Sequence, residues 1–151
     1  MSKPKVAFYW CASCGGCEEA VVDLAEDILG VVEAVDIVFW PCAMDFKKQD
    51  VESMPDKSIV ATFLNGAVRT SEQEEMVHLL RRKSQFMIAY GACSATGGIP
   101  GLANQFRLEQ LVDFAYQSAP TVVNEAGTRP LPKSAQGAHE LTLPVIREVV
   151  R

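Results

Sequence analysis

KVAFYWCASCGGCEE, residues 5–19, is the stretch of this sequence on which the fold prediction depends most. Residues 5–11 form an apolar run rich in aromatic and β-branched residues, and they predict a buried strand because the run is too short for a stable helix. From about Cys17 to Val32, apolar residues recur at helical spacing among acidic ones. The stretch therefore predicts a strand, a loop of cysteines and glycines, and a helix, in that order.

Strands and helices alternate along most of the remaining chain. Apolar runs predict strands at residues 35–40, 58–64 and 85–90. Ser71 and Glu74 have capping-box spacing and predict a helix that ends at Lys83. A helix is also predicted at about 105–116, an irregular structure at 45–56 and 118–139, and an amphipathic helix from 143 to 151. Because parallel neighbours need crossover connections, the pattern predicts the α/β class, with an open parallel sheet and helices on both faces.

Length and composition limit the classes of protein to which the chain can belong. The 151 residues are 48% hydrophobic and 22% charged, which predicts a single domain over residues 1–151. The net charge of -5 arises from interleaved acidic and basic residues, so no nucleic-acid partner is expected. No stretch reaches the roughly 20 apolar residues of a membrane helix, and residues 1–5 lead into a strand without a signal peptide. We therefore expect a cytoplasmic protein without membrane insertion.

All five cysteines follow predicted strands. Cys11, Cys14 and Cys17 follow the first strand, Cys42 follows the second and Cys93 follows the fourth. Because sites in an open parallel sheet form outside the carboxyl ends of the strands, the five cysteines are predicted to lie at one edge. Closely spaced cysteines in a reducing cytosol more often bind metal or act in catalysis than form disulfides, and an odd number cannot pair completely.

Cys14, Cys17 and Cys93 are the candidate metal ligands. Two cysteines separated by two residues can bind one iron–sulfur cluster from a single turn, and Gly15 and Gly16 let the backbone turn its amides toward that cluster. Cys93 can approach from the adjacent glycine-rich loop. A thioredoxin-like pair is disfavoured because the usual intervening proline is absent. A flavin site is disfavoured because the first loop has cysteines and two adjacent glycines in place of a hydroxyl-rich phosphate cradle. A zinc site with four cysteines stays open.

Two motifs carry a resemblance to a known family. CGGCEE at residues 14–19 and GACSATGGIPG at residues 91–101, in this order, resemble the small subunit of nickel–iron hydrogenases. The likeness is greatest to the cytoplasmic branch linked to heterodisulfide reductase and viologen reduction. The related 20 kDa subunit of NADH:ubiquinone oxidoreductase typically has two adjacent cysteines in the first loop, so the separated pair favours the hydrogenase side.

The resemblance implies a flavodoxin-like domain that holds a proximal [4Fe–4S] cluster beside a large subunit with the nickel–iron centre. Cys14, Cys17 and Cys93 would then be ligands, and Gly15 and Gly16 would line the cluster. The family's fourth ligand lies in a Gly-Cys-Pro-Pro element that this sequence lacks, so either the chain is truncated or the ligand comes from elsewhere, with Cys42 and Cys11 as the internal candidates. The implied function is electron transfer without catalysis by the chain itself; the alternative is a cluster-free or zinc-binding interaction module of a redox complex.

Other notable residues have ordinary structural interpretations. Cys11 and Cys42 are expected to be small buried fillers near the site. His78 and His139 are expected at the surface, and Trp10 and Trp40 in the core or an interface. Glu18 and Glu19 are expected to stabilise the start of the first helix.

Overall fold

A four-stranded parallel sheet forms the centre of the protein, as seen in a computed structural model that describes residues 2–150. The described residues contain the strands β1 (Lys5–Trp10), β2 (Asp36–Phe39), β3 (Ile59–Asn65), β4 (Val68–Thr70), β5 (Ser84–Tyr90), β6 (Lys133–Gln136), β7 (His139–Thr142) and β8 (Ile146–Val150). The central sheet has the order β2-β1-β3-β5, while β4 pairs with β8 and β6 with β7. The carboxyl ends of the four central strands therefore lie at one edge.

Helices connect the strands. They are α1 (Gly16–Val22), α2 (Ile28–Ala34), α3 (Lys48–Ser53), α4 (Ser71–Lys83), α5 (Ala92–Thr96), α6 (Gly98–Gly101) and α7 (Leu108–Asp113). Short 3₁₀ turns span Ala25–Asp27 and Leu102–Gln105, and a π-helical turn spans Phe114–Ser118. None of the described helices is long and apolar enough to cross a membrane.

The sheet buries a separate apolar cluster on each face. On one face, α3 and α4 pack against β1–β3. This cluster consists of Ala7, Phe39, Val51, Ile59, Met76, Leu79 and Leu80. On the opposite face, Phe8 lies 4.7 Å from Trp40 and 4.9 Å from Phe63 between ring centroids, with Val21 and Ile28 of the first helical segment against them. The predicted α/β class, with helices on both faces of an open parallel sheet, is confirmed.

The predicted helix at residues 17–32 is interrupted. Only Val21 and Ile28 of its apolar positions pack against the second cluster, and between them the chain leaves helical geometry where Ala25 has a φ of 49°. The intervening turn keeps its acidic side chains exposed to solvent. The segment therefore forms α1, a 3₁₀ turn and α2 in place of one continuous helix.

Residues 45–56, predicted to be irregular, include the helix α3. The Lys47 backbone N–H donates to Asp50 Oδ2 at 2.6 Å and satisfies one free donor at the helix start. Val51 is completely buried in the first apolar cluster. Burial of one valine by tertiary contact therefore stabilises a helix for which the polar local sequence gives little signal.

The start of α4 is capped one residue earlier than predicted. Thr70 Oγ1 accepts from the Gln73 N–H at 3.2 Å, and Gln73 Oε1 accepts from the Thr70 N–H at 3.1 Å. The capping box is therefore Thr70 with Gln73 and not Ser71 with Glu74. Ser71 instead binds the chain's last segment, since its Oγ accepts from the Val145 N–H at 3.0 Å and its N–H donates to Val145 O at 2.9 Å.

The predicted helix at residues 143–151 is wrong over its described part. Residues 146–150 form β8, which runs antiparallel to β4. Val149 is buried, and Asn104 binds its backbone on both sides: Nδ2 donates to Val149 O and Oδ1 accepts from the Val149 N–H, each at 2.9 Å. Valine and isoleucine suit a strand as well as an amphipathic helix, and the long-range partners decide between them. The β6–β7 hairpin lies at the end of the region predicted to be irregular, and residue 151 is outside the described residues.

Candidate functional site: the cysteine edge

The five cysteines gather at the carboxyl edge of the sheet, as predicted. Cys11 follows β1, Cys14 and Cys17 flank the start of α1, Cys42 follows β2, and Cys93 lies in α5 after β5. None of them is in a disulfide. The parallel topology of the sheet places the cysteines that follow different strands at this one edge. We call this region the cysteine edge.

The first cysteine loop is fixed to the neighbouring loop by main-chain hydrogen bonds. The Cys11 N–H donates to Asn65 O at 2.7 Å, and Ala12 and Ala67 exchange N–H to O bonds of 2.9 and 3.0 Å. Gly66 lies directly beneath this bridge with a φ of 89°, and a Cβ there would be 2.8 Å from the carbonyl carbon of Cys11. The turn after β3 must therefore be glycine for the two loops to pair this closely.

Glycines also make room for two of the candidate sulfurs. A Cβ on Gly91 would lie 2.3 Å from Cys17 Sγ, and one on Gly98 would lie 2.8 Å from Cys93 Sγ. Both glycines have positive φ, 87° and 49°. The Cys17 thiol therefore contacts the loop that carries Cys93, although some 75 residues separate the two along the sequence. The loops after β1 and β5 meet across the end of β3.

The remaining cysteines differ in exposure. Cys11 is buried, as expected for a small filler, and burial raises the pKa of its thiol to about 12. Cys42 is exposed, so its interpretation as a buried filler is wrong. Partial desolvation, followed by the negative charge of Glu18, raises the pKa of the Cys42 thiol. The loop after β2 is exposed to solvent. The apolar strand before the loop gives no indication of this exposure.

Glu18 has a role beyond the start of the helix. Its side chain is buried, and Trp40 Nε1 donates a hydrogen bond to its Oε2. Burial raises the pKa of the Glu18 carboxyl, and the bond from Trp40 partly opposes that rise. Its Oε1 has no hydrogen-bond partner among residues 2–150. Trp40 is a core residue as predicted, whereas Trp10 is 41% exposed and packs its ring over Gly15.

Asn65 is a residue of the cysteine edge that the sequence did not single out. It ends β3 and is completely buried. Ser13 Oγ donates to Asn65 Oδ1 at 3.2 Å, and the Gly15 N–H donates to Ser13 Oγ at 3.3 Å. The Asn65 Nδ2 group has no hydrogen-bond partner in the described part of the chain. The only sequence signal was the Asn-Gly pair, which predicts a turn and gives no indication of burial.

The donor set at the cysteine edge suits an iron–sulfur cluster. It offers thiols, glycines that leave space at two sulfurs, and a buried N–H donor without an acceptor. Within residues 2–150, however, no three histidine, cysteine or acidic side chains are already grouped to hold a metal ion. The assignment of Cys14, Cys17 and Cys93 as ligands, with Gly15 and Gly16 beside them, therefore stays a prediction.

The fold and the cysteine edge together define a class of protein: a parallel α/β domain with thiols from two glycine-rich loops at the carboxyl ends of its strands. Residues 14–143 match the family described as NADH ubiquinone oxidoreductase, 20 Kd subunit. The chain belongs to this family, and the resemblance found in its two motifs is confirmed.

The chain is also similar to individual hydrogenase subunits. It is 42% identical over 148 residues to the iron–sulfur subunit of the F420-non-reducing hydrogenase of Archaeoglobus profundus, a match that covers 97% of this chain and 46% of the relative. It is 34% identical over 128 residues to a subunit of the F420-non-reducing hydrogenase of Methanothermobacter marburgensis, covering 85% of this chain and 40% of the relative. The chain thus spans less than half the length of these relatives.

A solved structure shares the fold. A chain of an NAD⁺-reducing [NiFe]-hydrogenase in the H₂-reduced state matches with a TM-score of 0.74 and 23% identity, covering 97% of this chain and 73% of the other. At this identity the match supports the architecture alone.

Proposed function

We propose that this chain is an electron-transfer subunit that carries a proximal [4Fe–4S] cluster beside the large subunit of a hydrogenase-type complex. The observation on which the proposal rests is the approach of Cys17 Sγ to Gly91, which brings the loop of Cys14 and Cys17 against the loop of Cys93. The names of the relatives, hydrogenase subunits and in one case an iron–sulfur subunit, support it.

In this proposal Cys14, Cys17 and Cys93 supply three thiolates. A bound cluster supplies one-electron transfer, and the protein provides its ligands, its solvent shielding and its surrounding hydrogen bonds. The chain between Cys14 and Cys17 bends at Gly15, whose φ is 86°. Of the two internal candidates for a fourth ligand, Cys42 is exposed and Cys11 is buried.

The wider context is part of the same proposal. Residues 1–151 are taken as one cluster-binding domain, and the partners as a hydrogenase-type large subunit and further redox subunits. We also propose a cytoplasmic location and the absence of nucleic-acid binding. The second is supported by the net charge of -5, with acidic residues interleaved among basic ones.

Anaerobic purification followed by iron and sulfide analysis and electron paramagnetic resonance (EPR) tests the proposal. We expect a brown protein with about four irons and four sulfides per chain. Cys17→Ser and Cys93→Ser should lose most of the iron, and Cys42→Ser tests the internal fourth ligand. Met44→Ser, which changes an exposed side chain near Cys42, is the control and should retain the cluster. A colourless chain with one zinc, or one whose thiols stay free after reconstitution, would favour the interaction module instead.

A further inference from the structure

Asn65 occupies a distinctive place at the cysteine edge. It is the last residue of β3, the strand between β1 and β5, and it is in register with Trp10 on one side and Tyr90 on the other. The two cysteine loops follow directly after those neighbours. A side chain at this position therefore lies between the loop of Cys14 and Cys17 and the loop of Cys93.

Among the residues that the structure describes, only the oxygen of the Asn65 side-chain amide has a hydrogen-bond partner. Its Oδ1 accepts from Ser13, and Ser13 Oγ in turn accepts from the Gly15 N–H, so the oxygen side fixes the first cysteine loop. The Nδ2 group is buried and finds no acceptor among residues 2–150. Buried N–H groups without an acceptor are rare in folded proteins because desolvation is not compensated. An acceptor brought by a bound group would account for this donor.

We infer that Asn65 Nδ2 donates a hydrogen bond to sulfur at the bound cluster, either a cysteine thiolate ligand or an inorganic sulfide. This inference rests on the proposed function. Sulfur at a cluster held by the two loops would carry negative charge and could accept a hydrogen bond from the Nδ2 group. Asn65 is then a positioning residue: its oxygen orients the first loop through Ser13, and its nitrogen adjusts the electronic properties of the cluster.

The expected consequence is a higher reduction potential. On reduction one electron enters the cluster, from dithionite in the assay, and on oxidation it leaves; the amide proton stays on Nδ2 throughout. A donor facing sulfur favours the reduced state because that state carries one more negative charge. Removing the donor should therefore lower the potential, so that the cluster becomes harder to reduce.

Measurements of the reduction potential of the reconstituted chain separate the contributions of the two halves of the Asn65 amide. In Asn65→Leu, we expect the ratio of reduced to oxidised cluster at a fixed ambient potential to fall about tenfold, equivalent to a potential about 59 mV more negative for a one-electron couple. Ser13→Ala breaks the bond to Asn65 Oδ1 and the bond from the Gly15 N–H but leaves the Nδ2 donor, so its potential should shift much less than that of Asn65→Leu. Equal shifts in both variants, or no shift in Asn65→Leu, would overturn the inference.

A second measurement needs no variant. The chain has three asparagines, and the side-chain nitrogens of Asn104 and Asn124 already donate to backbone carbonyls. With ¹⁵N in the asparagine amides, pulsed EPR of the reduced cluster should show a ¹⁵N coupling that Asn65→Leu abolishes. A loaded wild-type chain without that coupling would overturn the role of Asn65 alone. A wild-type chain that takes up no iron–sulfur cluster would overturn the proposed function as well.

Discussion

Replacing Gly91 by alanine tests most directly whether the two cysteine loops must meet. The added Cβ would lie 2.3 Å from Cys17 Sγ and 3.6 Å from Cys17 Cβ. The first distance is more than an ångström inside the roughly 3.5 Å at which non-bonded heavy atoms begin to make favourable contact. Gly91 also has φ 87° and ψ 166°, a backbone conformation essentially restricted to glycine. Alanine therefore strains the backbone and displaces the Cys17 thiol.

The two costs can be estimated separately. An alanine held in this backbone region costs about 1–3 kcal/mol. Forcing the sulfur aside in a packed loop costs about 1–3 kcal/mol more. Alanine also lowers the conformational entropy of the unfolded chain, which raises the unfolding free energy by about 0.4–1 kcal/mol. We therefore expect Gly91→Ala to lower the unfolding free energy of the metal-free chain by about 3 kcal/mol, a large part of the roughly 5–15 kcal/mol typical of a domain.

Chemical denaturation of the metal-free chain measures this loss, and iron analysis of the reconstituted chain measures its effect on the site. Gly30→Ala is the matched control, because Gly30 lies in α2 and a Cβ there would meet nothing within 4 Å. That variant should gain about 0.5–1 kcal/mol from the higher helix propensity of alanine. If Gly91→Ala is as stable as the control and binds as much iron, the close contact between the loops is not required, and the reasoning fails.

Three further outcomes follow from other contacts. Thr70→Ala should lower the unfolding free energy by about 1 kcal/mol, measured by denaturation, because the cap to Gln73 is lost; no change would contradict the capping assignment. Asn104→Ala removes both hydrogen bonds to Val149 and should weaken β8 locally by about 1–2 kcal/mol, seen as faster amide exchange there while the central sheet stays protected; unchanged exchange would refute this. Burial raises the pKa of the Cys11 thiol to about 12, so Cys11 should react with iodoacetamide at pH 8 more slowly than the exposed thiols. Equal rates, measured by mass spectrometry, would contradict its burial.

The central sheet could be predicted because its signal is local. β1, β3 and β5 are apolar runs rich in β-branched and aromatic residues, and their parallel arrangement follows from the helices predicted between them. By contrast, α3 depends on the burial of Val51 against residues far away in sequence, and the local stretch is polar. The strand β8 depends on pairing with β4, which no local pattern in Val and Ile can distinguish from a helix.

The candidate site also has a part that the sequence predicts and a part that depends on contacts between distant segments. The cysteines could be placed at one edge because each follows a strand and the strands are parallel. The parts played by Asn65 and Glu18 could not be predicted, because burial and hydrogen-bond partners arise only when distant segments pack. The exposure of Cys42 was missed for the same reason, since nothing in the residues after β2 indicates how far that loop extends from the core.

The turn at Gly66 limits how this domain can vary. Neighbouring strands are about 4.8 Å apart, so β1 and β5 are separated by only about 10 Å across β3. The turn after β3 has no side chain at Gly66. The loops after β1 and β5 can therefore contact each other across this turn. An inserted residue or a bulky side chain at this turn would wedge the outer loops apart. Changes in length should therefore be tolerated in the largely exposed segment 119–132 and excluded from residues 65–67.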